Sequence, residues 1–129
     1  TAGKNIDVVE TKFGKIGLLI CADTHKDEIL DRMAVLKPDL LLVPYGYAAV
    51  EEAWPGHGEE LDRVVCHAAK ISGAAAVGTN CVGAISHGPW KGRIYGGQSV
   101  IADKSGEILA RGADRDKDVL VVEVEIGGN

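Results

Sequence analysis

Three cysteines and four histidines supply most of the nucleophilic and proton-shuttling chemistry open to this 129-residue chain. Cys21 stands apart by its setting. In GKIGLLICADTHKDEI, residues 14–29, an apolar run stops at Cys21, Ala22 and Asp23 follow, and a helical pattern begins. A thiol at the carboxyl end of a strand lies where ligands of open α/β sheets gather, and a helix start just beyond it favours the thiolate. Ala22 is small, so its backbone N–H can face a substrate carbonyl and hold an oxyanion. The competing reading is that a free cysteine is a small buried hydrophobe. Cys66, inside a helical pattern, and Cys81, in a strand running on into VGAI, are read that way.

A nucleophilic cysteine needs a base, and His25, His57 and His87 are each conceivable, with no spacing that selects among them. His67, on a helix, is read as structural. No metal-ligand spacing joins Cys21 to His25 or Cys66 to His67, so no metal site is expected. The pocket is expected to be lined by Asp23, Thr24 and His25 after the cysteine, by Pro44, Tyr45, Gly46 and Tyr47 after LLLV, and by Asn80 after AAAV. Aromatic lids on a core edge and a turn asparagine are the structural alternative. The acid pairs Glu51/Glu52 and Glu59/Glu60 are read as solvated.

These residues need elements to hold them. Apolar runs predict strands at about 6–10, 15–20, 39–43, 74–79, 97–102, 107–110 and 118–124. A helix is predicted at about 25–36, capped by Asp23 or Thr24, with Ile29, Leu30, Met33, Val35 and Leu36 on its apolar face and Pro38 stopping it. A second, at about 59–72, buries Leu61, Val64, Val65, Ala68 and Ala69 and ends at Gly73. Strand–helix–strand–helix–strand over 15–79 is a βαβαβ pattern, and LLLV and AAAV read as strands buried on both faces of a parallel or mixed sheet. Past residue 95 the chain turns antiparallel, with DKSGE as a tight hairpin and RGADRDKD as a charged loop.

Length fits one α/β domain, and the net charge of −5 with no basic cluster argues against nucleic acid and anionic membrane. No apolar run approaches ~18 residues and TAGKNIDVVE has no signal pattern, so the chain is expected to be cytoplasmic, with reduced thiols. No G-x-G-x-x-G or P-loop follows a strand, which ranks nucleotide binding last.

Four segments in order carry a resemblance: FGKIGLLICAD, PDLLLVP, AAKISGAAAVGTNCVG and IYGGQSVIADKSGEILARG. Together they resemble the nitrilase superfamily of carbon–nitrogen hydrolases, over about residues 5–126. The resemblance implies an αββα sandwich, here a partial domain of mixed sheet with helices on one face. It also implies cysteine-dependent hydrolysis of a linear amide or carbamoyl compound through a thioester, with no metal or organic cofactor. The family nucleophile maps onto Cys21 and one oxyanion donor onto the Ala22 N–H. True nitrilases carry an aromatic residue and a glutamate after the cysteine, so Ala22 and Asp23 look like the amidase or carbamoylase branches.

Departures from the family pattern matter as much. The Glu-Lys-Cys triad draws its glutamate and lysine, with a further glutamate, from well before the cysteine. Here Lys4, Lys12 and Lys15 match no such motif, and HKDE replaces the aromatic-Pro-Glu after the elbow. No C-terminal arm follows Gly128. The chain therefore looks like the C-terminal part of such a domain, 1–129, and a first residue Thr1 in place of Met agrees. An apolar sheet face left open would favour a homo-oligomer or association with the other half-domain. The alternative function is a non-catalytic binding module that keeps the fold without the triad.

Overall fold

The computed structural model describes residues 4–126, so Thr1 and Gly128 lie outside the described residues. The main sheet has six strands in the order β1 (Val8–Thr11), β2 (Gly14–Leu18), β3 (Leu40–Tyr45), β5 (Ala75–Asn80), β8 (Val100–Ala102) and β9 (Ile108–Arg111). β2, β3 and β5 run parallel and β8 and β9 join antiparallel, as the βαβαβ pattern and the later turn signals predict, while the antiparallel pairing of β1 with β2 was not foreseen. A small second sheet, β4 (Ala48–Ala49), β7 (Ile94–Gly96) and β6 (Val82–Ala84), was not predicted as a sheet, although VGAI was read as strand and β6 forms there. Its two- and three-residue strands are too short to show a period.

Helices α1 (Asp27–Val35) and α2 (His57–Ser72) cover one face of the main sheet. Leu30 and Met33 of α1 and Leu61, Val65, Ala68 and Ala69 of α2 pack with Leu41, Val43, Tyr45, Ala76 and Val100 into one core. Gly73 ends α2 in the left-handed conformation, φ 70°, as a glycine cap should. Gly78 of β5 lets α2 approach, since a Cβ there would sit 2.5 Å from Val65 and 3.1 Å from the Tyr45 ring. Gly78→Val is expected to cost about 2 kcal/mol or more by overpacking, read as a lower urea midpoint.

Several expectations are corrected. The α-helix does not begin after Asp23: residues Cys21–His25 form a single 3-10 turn, and α1 starts at Asp27 behind Lys26. Val35 is 79% exposed, because it lies off the stripe set by Leu30 and Met33. The strand expected at 97–102 is broken at Gly97–Ser99, where Gln98 takes a left-handed φ of 55°. LLLV is buried on one face only, with Leu40 and Leu42 half-buried and Leu18 and Ile20 exposed on the other.

Residues 118–124 form no strand. They lie along that second face, with Leu120 against the cavity beside Val77 and Ile101, and Ile126 reaching Gly14. The alternation is there, Leu120, Val122 and Val124 half-buried and Val119 and Val121 exposed, but the segment has no ladder partner among the described residues.

Candidate active site

β2, β3 and β5 are neighbours, so their carboxyl ends bring Cys21, the Tyr45–Tyr47 exit and Asn80 side by side. Cys21 is half-buried and has a φ of 35°, a left-handed backbone rare for a residue with a Cβ. Strain of this kind costs of order 1–3 kcal/mol and persists where the surroundings fix it. Those surroundings are visible. The Asp23 carboxylate accepts from the Ile20 N–H at 2.9 Å, closing the turn from inside. Thr24, 2% exposed, donates its hydroxyl to the Cys21 carbonyl at 2.7 Å and meets the Tyr45 hydroxyl at 2.8 Å. Ala22 is exposed, and among the described residues its N–H has no acceptor.

The rest of the expected pocket divides between props and wall. Asn80 accepts from the Tyr47 N–H at 2.8 Å and donates to the carbonyls of Tyr47 and Gly97 at 3.2 and 2.9 Å, so it fastens the β3 exit to the later chain. Tyr45 is buried, and Pro44 lies exposed on the second sheet face. Gly46 packs near the Tyr95 ring. Tyr47 stacks on His25, with centroids 6.1 Å apart, and meets His57 at a tilt with centroids 5.1 Å apart, while His57 meets the buried Trp54 edge-on at 5.1 Å. Burial pushes the Tyr47 phenol up, the charges of Glu60 and of the Cys21 thiolate add to this, and Arg63 opposes it. Burial likewise holds the Tyr45 phenol well above its usual range, against the Thr24 hydrogen bond.

Sequence reasoning missed the role of Trp54, whose loop reads as polar, and the Thr24–Tyr45 bond, which no local spacing could reveal. His67 pairs with Asp27 at 2.8 Å and ties α2 to α1, the structural role expected of it. His87 bonds Ser86 on an exposed turn between β6 and β7. The four acids at 51, 52, 59 and 60 are exposed, Glu60 pairing with Arg63 at 3.1 Å. Cys81 corrects its core assignment: β5 ends at Asn80, and the thiol is exposed, 3.6 Å from the Tyr45 carbonyl.

A cavity of about 370 Å³ lies on the second sheet face between Thr79, Asn80, Gln98 and Leu120, and another of about 330 Å³ between His25, Asp27 and His67; neither includes Cys21. Lys12 packs over Phe13 at the β1–β2 turn and Lys15 opens β2, both at the end of that strand away from Cys21. Among the described residues no three His, Cys, Asp or Glu side chains are grouped to hold a metal, and no helix is long and apolar enough to cross a membrane.

A mixed sheet under one layer of two helices, with a strained thiol at the end of a parallel strand, defines an α/β unit of the nitrilase type. The sequence matches the carbon-nitrogen hydrolase family over residues 1–128, and the chain belongs to that family. It is 29% identical over 124 residues to N-carbamoylputrescine amidase of Arabidopsis thaliana, covering 92% of this chain and 41% of that protein. Its fold resembles a carbon-nitrogen hydrolase from Helicobacter pylori G27 with a TM-score of 0.81, 26% identity, and coverage of 97% of this chain and 45% of that one. An amidase from Nesterenkonia sp. AN1 shares the fold at a TM-score of 0.66 and 23% identity, over 89% of this chain and 39% of its own. The chain thus spans less than half the length of these relatives.

Proposed function

We propose that Cys21 is the nucleophile of a hydrolase acting on non-peptide carbon–nitrogen bonds in linear amides or carbamoyl compounds. The sulfur attacks the carbonyl carbon, the π pair moves to oxygen, and the Ala22 N–H donates to that oxyanion. Collapse breaks the C–N bond, the leaving nitrogen takes a proton, and a thioester on Cys21 remains until water releases the acid and the thiol. The observation that carries this reading is the left-handed backbone of Cys21 directly after a parallel strand. Membership of the family and the likeness to a carbamoyl amidase support the choice of bond. A binding module gives no reason for a strained thiol beside an N–H that has no acceptor among the described residues.

The base and the lysine would come from a segment other than this chain's described residues, since Lys12 and Lys15 lie at the far end of β2. That segment would cover the open sheet face at Leu18, Ile20, Leu42 and Pro44 and complete the sandwich. Residues 118–126, which form no ladder among the described residues, would gain one from that segment by adding to it as a strand.

Thiol labelling tests the elbow. Iodoacetamide at neutral pH should modify Cys21 first although Cys81 is the more exposed thiol. Cys66 should lag, since burial and then Asp62 raise its pKa and keep it protonated; its rate should climb only as the pH rises. Labelling in the order of exposure, Cys81 ahead of Cys21, would contradict an activated elbow.

A further inference from the structure

The planarity of one peptide unit links a buried hydroxyl pair to the oxyanion donor. The Cys21–Ala22 peptide is trans, so the Cys21 carbonyl and the Ala22 N–H point in opposite directions. Whatever fixes the carbonyl therefore aims the N–H. Thr24 holds that carbonyl at 2.7 Å, and with its single proton spent there, its oxygen accepts at 2.8 Å from Tyr45. The relay runs Tyr45 O–H to Thr24 O–H to Cys21 C=O, from the end of β3 into the turn after β2. Both residues are almost fully buried, Thr24 at 2% and Tyr45 at 3% exposure, so water does not compete for these bonds. The Tyr45 ring is in turn braced edge-on by Tyr47 at 6.0 Å.

We infer that Thr24 and Tyr45 are positioning residues that set the direction of the Ala22 N–H, and so the strength of the oxyanion hole rather than the reactivity of the thiol. A Thr side chain reaching back three residues is common in helical turns; the second hydroxyl, from a different strand, makes this one a rigid strut. Because burial keeps the Tyr45 phenol protonated through the neutral range, the strut does not titrate there.

This inference rests on the reading of Cys21 as nucleophile, and two probes separate them. Iodoacetamide alkylation needs a thiolate and no oxyanion donor. Acetaldehyde needs both: the sulfur adds to the carbonyl carbon, a C–S bond forms, the π pair moves to oxygen with a proton, and a hemithioacetal results without any oxidant. Its equilibrium constant can be read from the carbon-13 resonance of labelled acetaldehyde. Thr24→Val should weaken the adduct on Cys21 roughly tenfold or more while alkylation changes less than about twofold, and Thr24→Ser should restore it. Tyr45→Phe, which keeps the ring, should weaken the adduct about threefold in the same selective way. An unchanged adduct in Thr24→Val and Tyr45→Phe would overturn the inference, as would equal losses of adduct and alkylation, which mean general loosening. A wild-type chain that alkylates at Cys21 yet forms no adduct would overturn the reading of the elbow as an oxyanion site, and the inference with it.

Discussion

Replacing Cys21 by alanine is expected to lower amide hydrolysis by about 10⁴-fold or more in protein assembled with the segment that completes the sandwich. The size follows from the covalent route: without sulfur there is no thioester, and the remaining groups can only orient water. Stability should barely follow activity. Cys21 is half-buried, so losing its sulfur costs about 1 kcal/mol or less. The backbone offers a second check. Glycine ordinarily costs about 0.5–1 kcal/mol relative to alanine through lost chain entropy. At a φ of 35° that order should vanish or reverse, so Cys21→Gly should melt no lower than Cys21→Ala while both are inactive. A steady-state amide assay beside thermal melts of the two variants reads both effects. Activity surviving in Cys21→Ala would remove the nucleophile from the account.

The second large effect concerns the open sheet face. Leu18→Asp or Ile20→Asp is expected to weaken association with the completing segment by about 30-fold or more each, since docking would bury an unpaired carboxylate at a cost of several kcal/mol. In the chain by itself those positions are 59% and 61% exposed, so its own urea midpoint should move little. Val35→Asp is the control, because Val35 is exposed on the helix layer and should not affect docking. Titration calorimetry with the segment checks all three. Equal affinities for the Leu18 and Ile20 variants and the unsubstituted chain would place the interface elsewhere.

Much of the fold was legible because its signals are local. LLLV and AAAV sit between helical stripes whose anchors, Leu30, Met33, Leu61, Val65 and Ala68, are buried as their spacing predicts, and Gly73 stops α2 as a cap. The DKSGE hairpin closes where turn chemistry puts it, with the Asp103 N–H donating to Glu107 at 2.8 Å. What was not legible depends on partners distant in sequence. Residues 118–124 have a strand's alternation but not its ladder, and alternation cannot tell whether a partner strand is at hand. Cys81 reads as the continuation of a strand, whereas the sheet stops one residue earlier, where the Asn80 amide is spent on Tyr47 and Gly97.

The candidate site shows the same division. The strand, the small residue after it and the turn put Cys21 at the carboxyl end of the sheet from sequence alone, yet the helix cap assigned to Asp23 or Thr24 falls at Lys26. Those two side chains instead hold the turn together: Asp23 closes it on Ile20, and Thr24 ties it to Tyr45, 21 residues away on another strand. Residue types suggested a pocket lining, and tertiary geometry makes these residues its frame.

Trapping the covalent intermediate would show whether Cys21 is the nucleophile. The chain, assembled with the completing segment, would be mixed with a linear aliphatic amide, quenched in acid during turnover and mapped by peptide mass spectrometry. An acyl group is expected on the peptide carrying Cys21, released by hydroxylamine as a thioester should be. Turnover with Cys21 unmodified, or an acyl group on Cys66 or Cys81 instead, would contradict that role.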